Sequence, residues 1–569
     1  MFVFLEFGVV AALVFIALGL PKLGSSRFRK LEGAFAPIIR RRWLAVVVVT
    51  VLPVVVRLAL LPFLPVPVPG GHDEFSYLLA ADTFAHGRLA NPTHPMWIHF
   101  ESPHILQQPT YASMYFPAQG LILAAGQVIF GSPWAGVLIS VGVMCGAICW
   151  MLQGWLPARW ALLGGLIAVM RLGIFSYWAN SYWGGAVAAT GGALVLGALP
   201  RIKRRQHVRD ALLMAIGLVI LANSRPYEGL IFSLPAGVVL LAWMLGKKGP
   251  SLKVSVRRVV LPVVLVLVPA AAAMGYYYWR VTGNPFLMPE QLNVDTYHMD
   301  RLFFGQMPRP EPEYHHKALR DYFFTELATF GRAQSASGVI TLTWAKLVWI
   351  WFFFLGPALT LPVLAMMALV PYGYSWSQIS SRFRFLLCAF GVMMAGLAPE
   401  VYFSDHYAAP MTGLMIALVM QSMRYIRLWK WDGKRNGLFL MRAVPMTCIA
   451  MLLFRVVAQP FHLPVTPMYP QTWCCADPGN LARARSLQQL TRLKGRQLVI
   501  VRYKPNHDVH DEWVYNEADI DSAKVSWARE MDEAHNRELI RYFKDRCVWL
   551  LEADERPPKL SAYPFPTSP

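Results

Sequence analysis

Two adjacent carboxylates stand in the segment GHDEFSY at residues 71–77, directly after an apolar run, 43–66, that is long enough to span a membrane. Acidic side chains at the mouth of a membrane helix are costly to place and have no packing role. Asp73 and Glu74 therefore indicate an enzyme that works at a membrane surface. The alternative is a solvated helix cap, because Asp before a helix is a favourable N-terminal residue.

Histidine and glutamate are concentrated a little further along the chain. Three His and one Glu fall within residues 94–104, in a loop broken by proline. His and carboxylate side chains bind divalent cations such as Mg, Mn or Zn. A metal site built from some combination of Asp73, Glu101 and His104 is one interpretation. Their spacing matches no fixed metal motif, and solvated loop residues are the other interpretation.

The composition predicts a polytopic membrane protein. Of 569 residues, 56% are hydrophobic and only 15% are charged, whereas a soluble protein carries about 25% charged residues. The net charge of +20 does not indicate nucleic-acid binding, because much of the Lys and Arg sits in short clusters between apolar runs. Such clusters carry topology information.

Twelve apolar runs are predicted to cross the membrane. Their ranges are 3–20, 43–64, 134–153, 160–178, 184–199, 210–223, 228–246, 259–278, 345–371, 385–402, 408–424 and 441–458. The first is predicted to be a retained helix, because Glu6 interrupts it and no basic segment precedes it.

Basic clusters fall between alternate pairs of these runs. They lie at 22–42, 201–209, 247–258, 382–384 and 424–435. The positive-inside rule places all five on the cytoplasmic side. The long segments 65–133, 279–344 and 459–569 then lie on the opposite, outer side, together with the short turns at 180–183, 224–228 and 404–407. The unusual polar residues converge on that face.

The outer segments have secondary structure of their own. Residues 74–88 are predicted to form an amphipathic helix lying in the membrane interface, and a second amphipathic segment follows at 116–130. The tail reads as a small α/β domain. Its predicted helices are 480–494 and 531–544, and its predicted strands are 497–503 and 547–551.

Three cysteines would face an oxidising compartment on the outer side. One of Cys474 and Cys475 is a candidate to pair with Cys547, which would clip the start of the tail to its last predicted strand. Connectivity does not follow from sequence.

The order of elements resembles the GT-C superfamily of membrane glycosyltransferases, in its protein O-mannosyltransferase and aminoarabinose transferase branch. A first membrane helix leads into the Asp-Glu pair, an interfacial helix and a long outer loop. QPTYASMYFP at 108–117 resembles the Pro-rich approach to the next helix in that branch. HYAAP at 406–410 resembles its aromatic-x-x-Pro step at a late helix. The resemblance covers about 43–425.

This resemblance implies transfer of a sugar from a polyprenyl-phosphate carrier to an acceptor hydroxyl at the outer face. It implies that Asp73 is the general base for the hydroxyl, with Glu74 positioning the acceptor or a metal. The leaving phosphate needs a cation, for which Arg225 is the first candidate and Arg280 the second. The alternative for Arg225 is an interfacial side chain paired with Glu228.

One position departs from the family pattern. Several relatives carry a second Asp in the turn where this chain has Asn180, which forms hydrogen bonds but does not take a proton. Tyr182 and Trp183 in that turn either stack on a sugar or belong to an aromatic belt. His406 and Tyr407 either bind substrate and relay a proton, or follow a helix cap.

A multi-pass transporter or lipid flippase is the alternative function. Its ionisable residues would lie midway through the spans, where Arg171 is the clearest charge. A protein that only anchors the tail needs a single span, so twelve argue against it.

The sequence therefore predicts a hexosyl- or pentosyltransferase of the cell envelope with a GT-C-like α-helical membrane fold. Its predicted parts are an N-terminal helix and basic loop (1–42), a catalytic membrane domain (43–458) and an accessory α/β domain (459–569). The expected location is the inner (plasma) membrane, with the active site and the C-terminal domain on the periplasmic side. Expected partners are the lipid-linked donor, a lipid, glycan or protein acceptor, and membrane lipids.

Overall fold

The computed structural model describes residues 1–247, 249–369, 379–461, 463, 465 and 471–564. Within these ranges the chain is predominantly α-helical, and a small sheet lies near the C-terminus. Lys248 of the predicted basic cluster and residues 370–371 of the predicted run 345–371 lie outside the described residues.

Eight helical segments among the described residues are long and apolar enough to cross a membrane. They are α1 (Phe2–Gly19), α4 (Arg42–Ala59), α7 (Pro133–Trp155), α9 (Gly185–Arg205), α11 (Pro226–Leu245), α12 and α13 (Leu252–Ser255 and Leu261–Thr282, joined by a π-helical turn), α16 and α17 (Ala336–Ile350 and Gly356–Leu369) and α20 (Asn436–Ala458). The short helices α2 (Ser25–Ala34) and α3 (Ala36–Arg40) lie between the first two.

The four remaining predicted spans correspond to shorter helices. These are α8 (Ala158–Ala168, continued by a π-helical turn to Gly173), α10 (Val208–Ala222), α18 (Ser381–Leu397) and α19 (Thr412–Ile426). Each is shorter than the ~20 residues of a full span. Every predicted run thus overlaps a helix, but the count of twelve spans is not confirmed.

The first outer segment folds as helices α5 (His72–Ala85) and α6 (Pro117–Phe130) with a small antiparallel sheet between them. The sheet has the order β1-β3-β2, with β1 at Asn91–Pro92, β2 at Ile105–Leu106 and β3 at Thr110–Ser113. The second outer segment contributes α14 (Pro289–Tyr297) and α15 (Lys317–Arg332).

The predicted helix at 74–88 is present as α5, but its interfacial location is wrong. Phe75 and Leu79 are buried against residues of the tail, while Tyr77 and Ala81 are buried in the cluster that contains α6 residues. Both faces of α5 are therefore covered by protein. The apolar face attributed to lipid contact is the face on which the tail packs.

The tail forms α21 (Leu481–Thr491), β4 (Arg496–Arg502), β5 (Val525–Arg529), α22 (Glu533–Tyr542), β6 (Arg546–Glu552) and β7 (Lys559–Ala562). The sheet order is β5-β4-β6-β7, with β4 parallel to both neighbours and β7 antiparallel. Central β4 is an apolar run, as expected of a strand covered on both faces. The two predicted strands and two predicted helices are confirmed; β5 and β7 were not predicted.

The tail and the first outer segment share one apolar core. The rings of Phe75 and Tyr515 stack with centroids 4.2 Å apart. The Asp82 carboxylate accepts a hydrogen bond of 2.8 Å from the Ala518 N–H. Arg529 Nε donates to the Glu101 carbonyl at 2.7 Å. The tail therefore covers the segment that carries Asp73.

The disulfide differs from the predicted one. Cys474 bonds to its neighbour Cys475, and both are buried in the core of the membrane helices. Cys547 is a free, exposed thiol on β6. The expected pairing with Cys547 is wrong, because the two partners lie in different packing units.

Arg171 has a structural partner in the first helix. Glu6 Oε1 accepts hydrogen bonds from Arg171 Nη1 at 3.0 Å and from the Ala358 N–H at 3.1 Å. Glu6 Oε2 accepts one from Trp473 Nε1 at 3.2 Å. Both charged side chains are almost fully buried. This ion pair joins α1, the end of α8, the start of α17 and the tail.

We predict that Glu6→Gln destabilises the protein by about 3–5 kcal/mol, because it leaves the buried Arg171 charge without its partner. Thermal unfolding of the purified protein in detergent measures the effect. The matched control is Glu32→Gln, whose exposed carboxylate pairs with Arg442 at 2.8 Å, and whose loss is expected to cost at most about 1 kcal/mol. Equal losses for the two variants would contradict the anchoring role of Glu6.

Candidate active site

A cavity of about 740 Å³ is lined largely by residues of the segments 65–133 and 279–344, which the sequence predicts to lie on the outer side. Its walls come from the start of α5, the turn between α10 and α11, helices α14, α15 and α16, and the loop that precedes α19. The structure brings five of the residues singled out from the sequence to this cavity, namely Asp73, His104, Trp183, Arg225 and Tyr407. Glu74, Glu101, Tyr182, Arg280 and His406 are not among its lining residues.

Glu74 fixes the start of α5 and points away from the cavity. Its Oε2 accepts hydrogen bonds from the N–H groups of Gly70 and Gly71 at 2.9 and 3.0 Å. Its Oε1 accepts one from the Tyr182 N–H at 2.9 Å. Burial raises the pKa of Glu74, and the three N–H donors oppose that effect. The geometry therefore assigns this carboxylate to backbone support and gives it no contact with the cavity.

Asp73 lies at the cavity wall in a network of rings. The Tyr115 hydroxyl donates to Asp73 Oδ1, and His104 Nδ1 lies 3.1 Å from the Tyr115 oxygen and 3.5 Å from Asp73 Oδ1. His104 Nε2 lies 3.0 Å from the Tyr322 hydroxyl. Burial lowers the pKa of His104, opposed by Asp73, which favours a neutral ring.

One proton arrangement satisfies this whole network. Because Tyr115 gives its proton to Asp73, its oxygen accepts the N–H of His104 Nδ1. The neutral ring then has a lone pair on Nε2, which accepts the proton of Tyr322. The chain Tyr322–His104–Tyr115–Asp73 thus orients one oxygen of Asp73 with a directed hydrogen bond.

The predicted metal ligands are not assembled as a set. Glu101 is buried, with Oε1 accepting from the Tyr297 hydroxyl at 2.9 Å and Oε2 lying 2.9 Å from His315 Nδ1. It faces the second outer segment, while His104 faces Asp73. No group of three or more His, Cys, Asp or Glu side chains in the described part of the chain is placed to hold a metal ion. Asp73 Oδ1 and His104 Nδ1 lie 3.5 Å apart, but Glu101 is held by other partners, so these three residues do not form the predicted metal site.

Arg225 presents its guanidinium to the cavity. Its Cζ lies 4.3 Å from the centroid of the Tyr407 ring, and Nη1 lies 3.8 Å from Glu228 Oε1. The pairing expected of the structural alternative is therefore present. Among the described residues, however, the guanidinium donates no hydrogen bond, so its N–H groups remain available to a ligand.

The other predicted residues lie behind the wall or outside it. Arg280 is exposed at the end of α13, with Nη1 3.4 Å from the Tyr276 hydroxyl. Buried Tyr182 donates to the Pro67 carbonyl at 3.1 Å. His406 is buried, with its ring 4.7 Å from that of Trp183. Trp183 itself is at the wall, supported by His406.

Several cavity residues were not identified from the sequence. Tyr115, Tyr322, Asp300 and Glu326 all line the cavity. Asp300 Oδ1 lies 3.0 Å from His298 Nδ1, and Oδ2 accepts from the Tyr402 hydroxyl at 2.7 Å. Tyr115 lies in the motif at 108–117, which the sequence analysis used without singling out this residue. For Tyr322, Asp300 and Glu326 the only available signal was the length of the outer loop 279–344.

Glu326 is a cavity carboxyl outside the membrane spans whose acidity is strongly altered. Burial, reinforced by the negative charges of Asp300 and Asp73, raises the pKa of Glu326 to about 7. Asp300 behaves differently: burial raises its pKa, but hydrogen bonds from His298 and Tyr402 outweigh burial and hold it below the ordinary value. The cavity thus holds carboxyls of unlike proton affinity.

Comparison with known proteins gives matches among solved structures alone. No family model and no curated protein matches the chain. The Archaeoglobus fulgidus oligosaccharyltransferase tethered to an acceptor peptide is 11% identical, with 90% of this chain and 69% of that chain covered and a TM-score of 0.46. The same enzyme in complex with Zn and sulfate is 12% identical, with 79% and 55% covered and a TM-score of 0.45.

ArnT from Cupriavidus metallidurans bound to undecaprenyl phosphate is 13% identical, with 82% of this chain and 84% of that chain covered and a TM-score of 0.44. These proteins are GT-C membrane glycosyltransferases, the superfamily that the sequence motifs resemble. The chain spans only 55% to 69% of the archaeal enzyme in the two structures compared above. Since these three TM-scores are below 0.5, any functional assignment rests on the cavity and the sequence motifs.

We predict that Glu326→Gln changes the pH dependence of stability. A carboxyl whose pKa rises on folding from 4.5 to about 7 contributes stability that is present below pH 4.5 and lost as pH rises through 7. Glu326→Gln has no ionisable group at this position, so it does not lose this stability as the pH rises. Its stability relative to wild type should therefore increase between pH 4.5 and pH 8 by on the order of 1–3 kcal/mol.

Thermal unfolding in detergent at the two pH values measures this difference. Exposed Glu313→Gln is the matched control and should show no such increase. A Glu326→Gln offset that is the same at both pH values would contradict the raised pKa.

Proposed function

We propose that this protein is a glycosyltransferase that moves a sugar from a polyprenyl-phosphate carrier to an acceptor hydroxyl inside the outer cavity. The observation that carries the proposal is a single cavity lined by both Asp73 and Arg225, beside the rings of Trp183 and Tyr407. A proton acceptor and a phosphate-binding cation are the two groups that this reaction needs. The motif resemblance supports the same activity.

Asp73 is the proposed general base. Its Oδ1 is held by the Tyr115 hydroxyl, so Oδ2 is left to face an acceptor hydroxyl. The acceptor oxygen attacks the anomeric carbon of the sugar, the bond from that carbon to the phosphate oxygen breaks, and the acceptor proton passes to Asp73. The glycosidic bond forms, and the carrier phosphate leaves with the electron pair.

Arg225 is the proposed partner of that phosphate. Its guanidinium is charged, stacked over Tyr407 and largely shielded from solvent. A fixed cation in such surroundings stabilises the negative charge that develops on the leaving oxygen. The Glu228 carboxylate at 3.8 Å orients the group without a direct hydrogen bond. Arg280 has no comparable place in the reaction.

The cavity size fits the polar part of the donor. About 740 Å³ lies within the ~300–1,000 Å³ typical of small-molecule sites, which accommodates a sugar phosphate together with part of an acceptor. The polyprenyl tail remains in the lipid. Trp183 and Tyr407 supply flat apolar surfaces suited to a sugar ring. The proposed enzyme lies in the inner membrane with the cavity and the C-terminal tail on the periplasmic side, the orientation that the basic clusters predict.

Purified protein offered a panel of radiolabelled polyprenyl-phosphate sugars, with a membrane extract as acceptor, tests the proposal. We predict sugar transfer by the wild type and a fall of about 10²- to 10⁴-fold in Asp73→Asn, because the amide cannot take the proton. Asp545→Asn, a surface change on the tail, is the matched control and should retain transfer.

Arginine variants test the phosphate site in the same assay. Arg225→Gln should lower kcat/KM for the donor by about 10- to 100-fold, with partial recovery in Arg225→Lys. Arg280→Gln, exposed and outside the cavity, should stay near wild type. Full transfer by Asp73→Asn would remove the proposed base. No transfer with any donor, while labelled lipid crosses vesicle membranes, would favour the flippase.

A further inference from the structure

A second, smaller cavity lies where the tail meets helix α15. Its volume is about 260 Å³. On the tail side its walls follow the carboxyl ends of the parallel strands β4 and β5, and on the other side lies the first turn of α15. In open α/β sheets, ligands bind outside the carboxyl ends of the strands. The place is therefore a favourable one for a ligand, and it is separate from the cavity of Asp73.

Arg529, at the end of β5, lines this cavity with an unused donor. Its side chain is 3% exposed. Nε donates to the Glu101 carbonyl at 2.7 Å, and Nη2 donates to Glu512. Nη1 is buried and has no hydrogen-bond partner among the described residues. A buried, charged donor without an acceptor is costly and rare in a native structure, so this nitrogen calls for an acceptor from a ligand.

His507 provides a second unused nitrogen on the same wall. Its ring stacks on Tyr503 with centroids 3.8 Å apart, and Nδ1 lies 2.7 Å from Asp554 Oδ1. Nδ1 must donate to that carboxylate. Nε2 is buried and has no partner within the described part of the chain. It accepts from a ligand O–H when the ring is neutral and donates when the ring is charged.

The N-terminus of α15 faces the same space. Lys317 and Ala318, the first two residues of this 16-residue helix, line the cavity. The N–H groups of a first helical turn have no partners within the helix and carry a partial positive charge. The preceding His316 does not cap them, because its Nε2 is engaged with the Ile98 carbonyl at 2.7 Å. Such a terminus favours an anion.

The lining of the small cavity carries one more permanent cation than carboxylates, and each of these charges has an ion-pair partner. The permanently charged cations are Lys317, Lys504 and Arg529, and the carboxylates are Asp321 and Glu530. Asp321 pairs with Lys317, and Glu530 pairs with Arg502. Lys504 pairs with Glu555 at 2.9 Å, and Arg529 pairs with Glu512. Arg502, Glu555 and Glu512 lie outside the lining. The Lys317 and Lys504 side chains are at least half exposed, so an ion can enter from solvent.

We propose that this cavity binds a phosphate group. A hydrogen phosphate offers acceptor oxygens to Arg529 Nη1, to Lys504 and to the first turn of α15, and it carries an O–H that His507 Nε2 can accept. A carboxylate lacks that O–H. The volume of 260 Å³ is below the ~300–1,000 Å³ of most ligand pockets, which fits a single phosphate headgroup and excludes a whole glycolipid.

The site is also coupled to the larger cavity through α15. The first turn of this helix lines the small cavity, whereas Tyr322 and Glu326 on the following turns line the large one. Tyr322 holds His104 at 3.0 Å. A phosphate bound at the start of α15 therefore contacts the same rigid element that supports the Asp73 network.

Titration of inorganic phosphate into the full-length protein in detergent, at constant ionic strength and followed by calorimetry, tests the proposal. Lys504→Gln should weaken phosphate binding about 5- to 10-fold, and Arg529→Lys at least about 10-fold. Lys544→Gln, an exposed change on the same domain, is the matched control and should alter Kd less than about twofold. Thermal unfolding checks that Arg529→Lys is folded. Lys504→Gln changes a half-exposed surface side chain, so its effect on phosphate binding tests the site even if Arg529→Lys does not fold.

Arg225→Gln separates this site from the proposed donor site. Phosphate binding that survives Arg225→Gln and weakens in Lys504→Gln supports the small cavity. Binding lost in Arg225→Gln and intact in Lys504→Gln would overturn it, as would the absence of saturable binding below about 10 mM. The calorimetric measurement of phosphate binding does not depend on sugar transfer. A failure of the proposed phosphate site is therefore distinguishable from a failure of the proposed glycosyltransferase function.

Short-chain phosphatidic acid added as a competitor identifies the source of the phosphate. Displacement of inorganic phosphate by the lipid, in wild type but not in Lys504→Gln, assigns the site to a lipid headgroup. Retention of inorganic phosphate in the presence of the lipid assigns it to a soluble phosphate. Both results support a phosphate site and differ only in the molecule that carries the group.

Discussion

The geometry of the candidate active site depends on one buried carboxylate that takes no part in the proposed chemistry. Glu74 accepts N–H groups from Gly70, Gly71 and Tyr182, and so ties the approach to α5 to the outer turn after α8. The Glu74 carboxylate supplies the acceptors for N–H groups of both segments, so it joins them at one point. With the start of α5 fixed, the preceding residue along the chain, Asp73, points about 100° away around the helix and into the cavity. Loss of the Glu74 hydrogen bonds would therefore release both the side chain of Asp73 and the turn that contains Tyr182 from their fixed positions.

The tail makes this junction possible by keeping water away from it. Stacking of Phe75 on Tyr515, and the bonds from Ala518 to Asp82 and from Arg529 to Glu101, convert α5 from a surface helix into a buried one. Hydrogen bonds to an ionised carboxylate are strongest where solvent does not compete. A domain outside the region of family resemblance is thus part of the structure that positions the proposed base.

The sequence predicted the features that local patterns encode. Every apolar run became a helix, and central β4 was recognisable because a strand covered on both faces is continuously apolar. Asp73 and Arg225 stood out because charges are rare at helix mouths. Contacts between distant segments are not visible in local sequence patterns. The sequence predicted an interfacial α5 because the stacking of Tyr515 on Phe75 was not foreseeable. It grouped Glu101 with His104 because the contact of Glu101 with His315 was not foreseeable. The failure of the predicted pairing with Cys547 likewise follows from packing, because Cys474 and Cys475 are buried among the membrane helices and Cys547 is exposed on β6.

The adjacent acids Asp73 and Glu74 show why the site needs the fold to be interpreted. Their side chains are chemically alike, so sequence assigns both to catalysis or both to a helix cap. The fold surrounds Glu74 with three backbone donors, which engage both of its oxygens and give it a structural role. It gives Asp73 one directed donor, Tyr115, and an open cavity on the other side. Environment divides the roles of paired carboxylates, and here the division follows from helix geometry: neighbouring residues on a helix point about 100° apart, so when one is buried at a junction, the next faces the cavity.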